Sequence, residues 1–216
     1  CHVLLGDMNQ PLAPAAGNAL EVRVALDHLA SREVPARFHE MTLALGAELL
    51  TMSGLAKGRD EARDRLRATL DSGAALERFA RMVAAQGGPA DFCERPGAHL
   101  PSAPVTRPVP APRDGVVARM DTVALGRAAH SLGAGRSDHG HAVDPRVGLA
   151  GFVSLGQRVT RGEPLATVHA ASESAAERAA GQVAAAIMLA DESPPLPPLV
   201  HRRITPNPSL TKETSA

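Results

Sequence analysis

The spacing of apolar positions divides the chain into a helical first part and a strand-rich second part. Val3-Leu4-Leu5 is a short apolar run closed by Gly6-Asp7, the pattern of a buried parallel strand. A loop rich in Pro and Gly follows, through Gly17-Asn18. Leu20, Val22, Leu26 and Leu29 then recur at helical spacing and predict a helix over 19–29 with these side chains inward. A second helix is predicted over 36–52, presenting Phe38, Met41, Leu45, Leu49 and Met52, with Gly54 as its stop. Asp60 is the expected N-cap of a third helix, which buries Leu66 and Leu70 and stops at Gly73. A fourth spans 74–86, with Leu76, Phe79, Met82 and Val83 in one stripe and Gly87-Gly88 at its end.

The pattern changes at Pro96. The prolines between Pro96 and Pro112 exclude helix and suit a linker with extended pieces, so the domain boundary is expected there. Beyond it, Gly115-Val116-Val117-Ala118, Phe152-Val153, Gln157-Arg158-Val159 and Leu165-Ala166-Thr167-Val168 are predicted strands. Asp121 caps a predicted helix that reaches Leu132 and stops at Gly133. Ser174-Ala175-Ala176-Glu177 has capping-box spacing and opens a last helix to about Leu189. After Asp191 the chain is expected to be extended, with a disordered polar end. The expected architecture is thus an incomplete α/β region, mostly helical, followed by a small α+β barrel-like domain.

Composition narrows the chemistry. The 216 residues contain 23 basic and 23 acidic side chains, without a long basic run, so neither nucleic acid nor an anionic membrane gains electrostatic support. Four Phe and no Trp or Tyr leave little for base stacking. No apolar run approaches the ~18–20 residues that span a bilayer. The two cysteines, Cys1 and Cys93, show no zinc-site spacing and suit a reduced cytoplasmic protein without a disulfide.

Several short patterns could carry chemistry, and each has a plainer reading. Asp138-His139-Gly140-His141 with Asp144 could ligate a metal, but its Gly and Ser neighbours suit a solvated loop. Gly133-Ala134-Gly135-Arg136 resembles a phosphate turn, yet it follows a helix, where a C-cap is the better reading and Arg136 makes a structural ion pair. Asp7 and Glu21 could pair as acid and base; the simpler roles are a turn fixed by Asp7 and a first-turn charge at Glu21. Asn9 and Asn18 shape the loop, and His169 reads as a structural residue at a strand end. The strands over 151–168 are similar to a biotinyl or lipoyl carrier hairpin, but neither lysine, Lys57 or Lys212, lies there.

Five blocks carry a family resemblance: Asp7-Met8-Asn9-Gln10-Pro11-Leu12, Gly17-Asn18-Ala19-Leu20-Glu21-Val22, Arg81-Met82-Val83-Ala84-Ala85-Gln86-Gly87, Gly133-Ala134-Gly135-Arg136, and Gly162-Glu163-Pro164-Leu165-Ala166-Thr167-Val168-His169-Ala170. In this order and spacing the chain resembles the C-terminal half of the thymidine phosphorylase, or pyrimidine-nucleoside phosphorylase, family, up to about Arg203. The resemblance implies a homodimeric enzyme for reversible phosphorolysis, in which phosphate attacks the anomeric carbon of a pyrimidine deoxynucleoside. It also implies that the Lys/Ser phosphate loop and the base contacts lie upstream of the Asp7 block, so that no catalytic or substrate-binding residue is expected in this chain and no cofactor besides the co-substrate phosphate.

Some members of the family hold potassium. The resemblance places its main-chain ligands at Leu12 and Ala15 and its carboxylate at Val24, which cannot bind a cation. It implies four segments: 1–95 as the end of the α/β phosphate-binding domain, 96–112 as a Pro-rich linker and first strand, 105–190 as the C-terminal α+β domain, and 191–216 as an extended tail. The chain is then the C-terminal part of a larger enzyme, structural and inactive by itself. The rival reading is a non-enzymatic binding or regulatory module with a self-contained core and the same barrel-like domain.

Overall fold

The computed structural model describes residues 1–31, 35–136 and 142–206. Strand β1 (Val3–Gly6) runs into the Pro- and Gly-rich loop, which ends in the short strand β2 (Ala15–Ala16). Helices α1 (Asn18–Leu29), α2 (Ala36–Met52), α3 (Arg59–Asp71) and α4 (Ala74–Ala85) follow. The helical spacing of the sequence was sufficient to place all four.

Their details differ from the sequence expectation in ways set by neighbours. In α2 the buried side chains are Met41, as expected, with Leu43, Ala47 and Glu48, and α3 packs on the Ala47 side through Ala62 and Leu66. Leu45, Leu49 and Met52 remain exposed. Gly58, not Asp60, is the N-cap of α3 and makes no side-chain bond; Asp60 lies in the first turn. Gly73 ends α3 in the left-handed region (φ 75°) and starts α4, which buries no residue completely.

The Pro-rich stretch is more ordered than a linker. Pro96 begins the one-turn helix α5 (Pro96–His99), where its missing N–H costs nothing. Strand β3 (Val105–Pro110) holds Pro108 and Pro110 and lies at the edge of a sheet, the position that tolerates proline. Strand β4 (Gly115–Met120) leads into α6 (Thr122–Ala129), whose N-cap Asp121 accepts a hydrogen bond from the Ala124 N–H at 2.9 Å. The regular helix ends at Ala129, short of the predicted Leu132. A π-helical turn (His130–Ala134) continues it, and Gly133 (φ 102°) breaks it.

Strands β5 (Gly148–Ala150), β6 (Arg158–Val159) and β7 (Pro164–Ala170) come next. Phe152-Val153 is not a strand; the Val153 N–H is held by the Leu165 carbonyl at a loop crossing. Helix α7 (Glu173–Ala186) is capped by Ser172, two residues before the predicted cap, through the Ala175 N–H. It stops at Ala186 because Ile187-Met188-Leu189 forms β8 (Ile187–Ala190) against β4. The tail adds β9 (Val200–Ile204), antiparallel to β1.

The sheets have orders β1-β9, β2-β5-β7-β3 and β6-β4-β8. They are open, and no closed barrel forms among the described residues, which corrects the barrel-like expectation. Val3–Leu5 likewise pairs antiparallel, and its outer residues are half exposed, because β9 is its neighbour. One large apolar core sits between α6, α7 and the two larger sheets, with Val117, Leu149, Leu165, Val168 and Val183 fully buried. A small one, Ala47, Ala56 and Ala62, lies between α2 and α3. The loop from β1 belongs structurally to the later part of the chain, since β2 pairs with β5.

Candidate functional site

The loop between β1 and α1 gathers the most specific polar contacts of the first part. Asp7 ends β1 with its side chain fully buried. One carboxylate oxygen accepts from Arg37 of α2 at 2.8 Å. The other accepts from Asn9 through the backbone N–H (3.3 Å) and the side-chain amide (2.5 Å). Arg37 also donates to the Asp7 carbonyl at 2.7 Å. Asp7 thus closes a turn through its neighbour, as a short acidic side chain does, and carries a buried ion pair besides. His201 of β9 stands 3.7 Å from the same carboxylate.

The rest of the loop is stitched to the C-terminal sheets. The Leu155 N–H donates to the Gln10 side-chain oxygen (3.0 Å), the Phe152 N–H to the Pro14 carbonyl (3.3 Å), and the Thr122 hydroxyl to the Met8 carbonyl (3.0 Å). Two glycines allow the closest approach. A Cβ on Gly17 would lie 2.4 Å from the Val147 carbonyl oxygen, and one on Gly148 2.2 Å from that of Ala16; both residues have positive φ. Glu21 accepts from the Gly17 N–H at 2.9 Å, so its charge serves the start of α1 and not an acid–base pair with Asp7.

Beside this loop lies a cavity of about 440 Å³, lined by Asn9, Arg119, Asp121, Thr122, Leu155 and the prolines at 194, 195 and 197. Its polar groups can orient a ligand, but the lining contains no histidine, cysteine or lysine, and Asp121 is already committed to capping α6. A second cavity of about 310 Å³ separates β1 and β9 from α2 and α3. There Glu48 is buried and accepts from Arg203 (2.5 and 2.9 Å) and His2 (2.8 Å). The Arg203 hydrogen bond, more than any other contact, holds its carboxyl below the usual range.

The other sequence candidates separate. Leu12 is exposed in the loop, while Ala15 is buried in β2 opposite Ala150. Val24 offers only an apolar side chain on α1, and the carboxylate in the first turn, Glu21, is engaged by Gly17. This donor set does not fit a bound cation. Among the described residues no group of three or more His, Cys, Asp or Glu side chains is placed to hold a metal ion.

Asp138, His139, Gly140 and His141 lie outside the described residues. Asp144, beside them, pairs with Arg146 at 2.8 Å, and that hydrogen bond lowers its pKa. Arg136 is exposed, without the expected ion-pair partner among the described residues. His169 sits within β7 and burial pushes its pKa down. Both cysteines are free, and burial raises that of Cys93.

Sequence reasoning missed Arg37, the Glu48–Arg203 clamp and the buried His28, whose Nε2 meets His39 Nδ1 at 3.1 Å. Each joins residues of different elements, which periodicity along one element does not reveal.

The family described as the pyrimidine nucleoside phosphorylase C-terminal domain matches residues 116–190. A thymidine phosphorylase of Burkholderia orbicola (strain MC0-3) is 51% identical over 201 residues, 93% of this chain and 46% of its own length. The chain matches the C-terminal half of the thymidine phosphorylase family. Thymidine phosphorylases of Burkholderia cenocepacia (strain HI2424) and Burkholderia lata match over the same span at 51% and 49% identity. The chain spans about half the length of these curated relatives, 46% in each case. Among the described residues no helix is long and apolar enough to cross a membrane.

Proposed function

We propose that this chain is the C-terminal half of a thymidine phosphorylase, a pentosyltransferase of pyrimidine nucleoside salvage and catabolism. The enzyme reversibly converts thymidine and phosphate to thymine and 2-deoxy-α-D-ribose 1-phosphate. Phosphate oxygen forms a bond to the anomeric carbon as the bond to the base nitrogen breaks, and the departing pyrimidine takes up a proton. The observation that supports this most is the 51% identity over 201 residues to relatives of that name. Residues 1–95 complete the α/β phosphate-binding lobe, 96–112 form the Pro-rich linker and first strand, 105–190 form the α+β domain, and 191–216 the tail. The whole enzyme is a cytoplasmic homodimer that takes a pyrimidine deoxynucleoside and phosphate.

Within that reading the chain positions rather than reacts. The Asp7–Arg37 pair ties the loop to α2 and the Gly17–Gly148 contact seats it on the C-terminal sheets, so the loop presents one shape to the region upstream. Such preorganisation contributes to rate by holding reactants at the required separation. The groups that bind phosphate and polarise the base belong to the part of the relatives outside the match. The main-chain oxygens of Leu12 and Ala15 are too few to hold potassium without a carboxylate at position 24. Because Val24 replaces the carboxylate, potassium chloride raises the melting temperature no more than sodium chloride does, whereas Val24→Glu makes the two salts differ.

The test joins the upstream half of the Burkholderia orbicola relative to residue 1 of this chain in one polypeptide. Incubated with thymidine and phosphate, the joined protein releases thymine. A folded joined protein that releases none overturns the reading.

A further inference from the structure

The ribbon formed by β1 and β9 is finished on one side only. Leu4 faces the cavity against Ala44 and Ala47 of α2, and its cross-strand neighbour Arg203 pairs with Glu48. The opposite face carries Val3, Leu5 and Ile204, with Val3 directly across from Ile204 and the exposed Arg202 across from Leu5; the three apolar residues are exposed (44%, 54% and 46%). The second edge of β1 is unpaired among the described residues, since its sheet has the order β1-β9. A two-stranded ribbon is marginal in water. One with helices on one face and apolar side chains on the other has the pattern of a sheet covered on both faces. Leu45, Leu49 and Met52 form a second exposed apolar strip, along α2.

We infer that the outer face and free edge of β1, together with the exposed strip of α2, form the seat of the upstream half of the enzyme. That half adds strands to β1 and a covering layer over Val3, Leu5 and Ile204. The inference rests on the reading that the chain is the C-terminal half of a phosphorylase. The occupant follows from length: the Burkholderia relatives carry more than half of their residues outside the match, whose share is 46%. A second copy of this chain is the poorer occupant, because it would leave the larger part of those relatives without a seat.

The test co-expresses this chain, affinity-tagged at its C-terminus, with the upstream half of the Burkholderia orbicola relative as a separate polypeptide. Recovery is followed by size-exclusion chromatography with light scattering. The expected result is a complex with equal numbers of the two chains. Leu5→Lys and Leu49→Glu each weaken it about tenfold or more, while Val123→Lys, at an exposed position on α6, leaves it unchanged. Circular dichroism verifies that the variants stay folded.

Absence of a complex with the unaltered chain, or unchanged association by folded Leu5→Lys and Leu49→Glu, overturns the inference. So does a homodimer that Leu5→Lys dissolves, since a second copy is then the cover. A complex that releases no thymine supports the seat while counting against the proposed function. Thymine release insensitive to both substitutions does the reverse.

Discussion

Replacing Asp7 by Ala removes one half of a buried ion pair, and the structure sets the size of the effect. Deleting one partner of such a pair costs about 3–5 kcal/mol, because the remaining charge stays desolvated. Arg37 is not wholly stranded in Asp7→Ala: its bond to the Asp7 carbonyl at 2.7 Å survives, as that is main chain. Its Nε, however, is buried and already without a partner, so it has no other acceptor to turn to. The Asn9 amide loses its acceptor as well. The surviving main-chain bond is what keeps Asp7→Ala toward the lower end, at about 3 kcal/mol.

Arg37→Met is the harsher change. It leaves a carboxylate with no exposure, supported by Asn9 and by His201 at 3.7 Å, and costs about 4–5 kcal/mol. The double variant removes both charges and costs less than the sum of the single variants by at least about 2 kcal/mol. Urea unfolding followed by circular dichroism measures this. With a slope of about 2 kcal/mol per molar, Asp7→Ala lowers the midpoint by roughly 1.5 M. Single variants within about 0.5 kcal/mol of the unaltered chain, or strictly additive effects, would refute the assignment of the loop's shape to this pair.

Three further outcomes follow from other contacts. Gly148→Ala sets a Cβ 2.2 Å from the Ala16 carbonyl oxygen at a positive φ, so β2 separates from β5 and the amides of 15–16 and 149–150 lose hydrogen-exchange protection; retained protection contradicts the account. The depressed pKa of Glu48, owed first to Arg203, gives stability that is present above the ordinary carboxylate pKa and lost as the pH falls below it through the folded value. Melting temperature therefore drops less on acidification in Glu48→Gln, and equal acid sensitivity of the two proteins rules that linkage out. Residues 1–95 expressed separately give no sharp calorimetric transition, since their own buried core is small and their β2, Gln10 and Ala19 contacts are made to residues 145–155; a cooperative melt falsifies this.

How much of this was legible depends on whether a signal was local. Helices α1 to α4 stood out because their apolar residues repeat at one period and glycines mark their ends. Asp121 was readable as a cap because its acceptor role spans three residues. Strands β2, β5 and β9 were not readable: two or three residues of Ala and Gly have no period, and Val200–Ile204 carries His and Arg in a ribbon whose pattern is set by Glu48 on a distant helix.

The end of α7 was misplaced for a related reason. Ile187-Met188-Leu189 continues an apolar run that suits either state, and the pairing with β4 decides it. The inward face of α2 was assigned to the stripe with the largest side chains; Met41 of that stripe is buried, but α3 packs on the Ala47 side, where small residues permit close approach. Of the site, the loop blocks and the plain roles of Asp7 and Glu21 were visible. Arg37 was not, because its partner is 30 residues away.

The most direct measurement is the activity of the isolated 216-residue chain, purified, verified as folded, and incubated with thymidine and inorganic phosphate while thymine is followed chromatographically. A scaffold whose reacting groups lie upstream releases no thymine above the protein-free control. Turnover that scales with the concentration of this chain would contradict it, because the residues here would then hold phosphate and activate the base themselves.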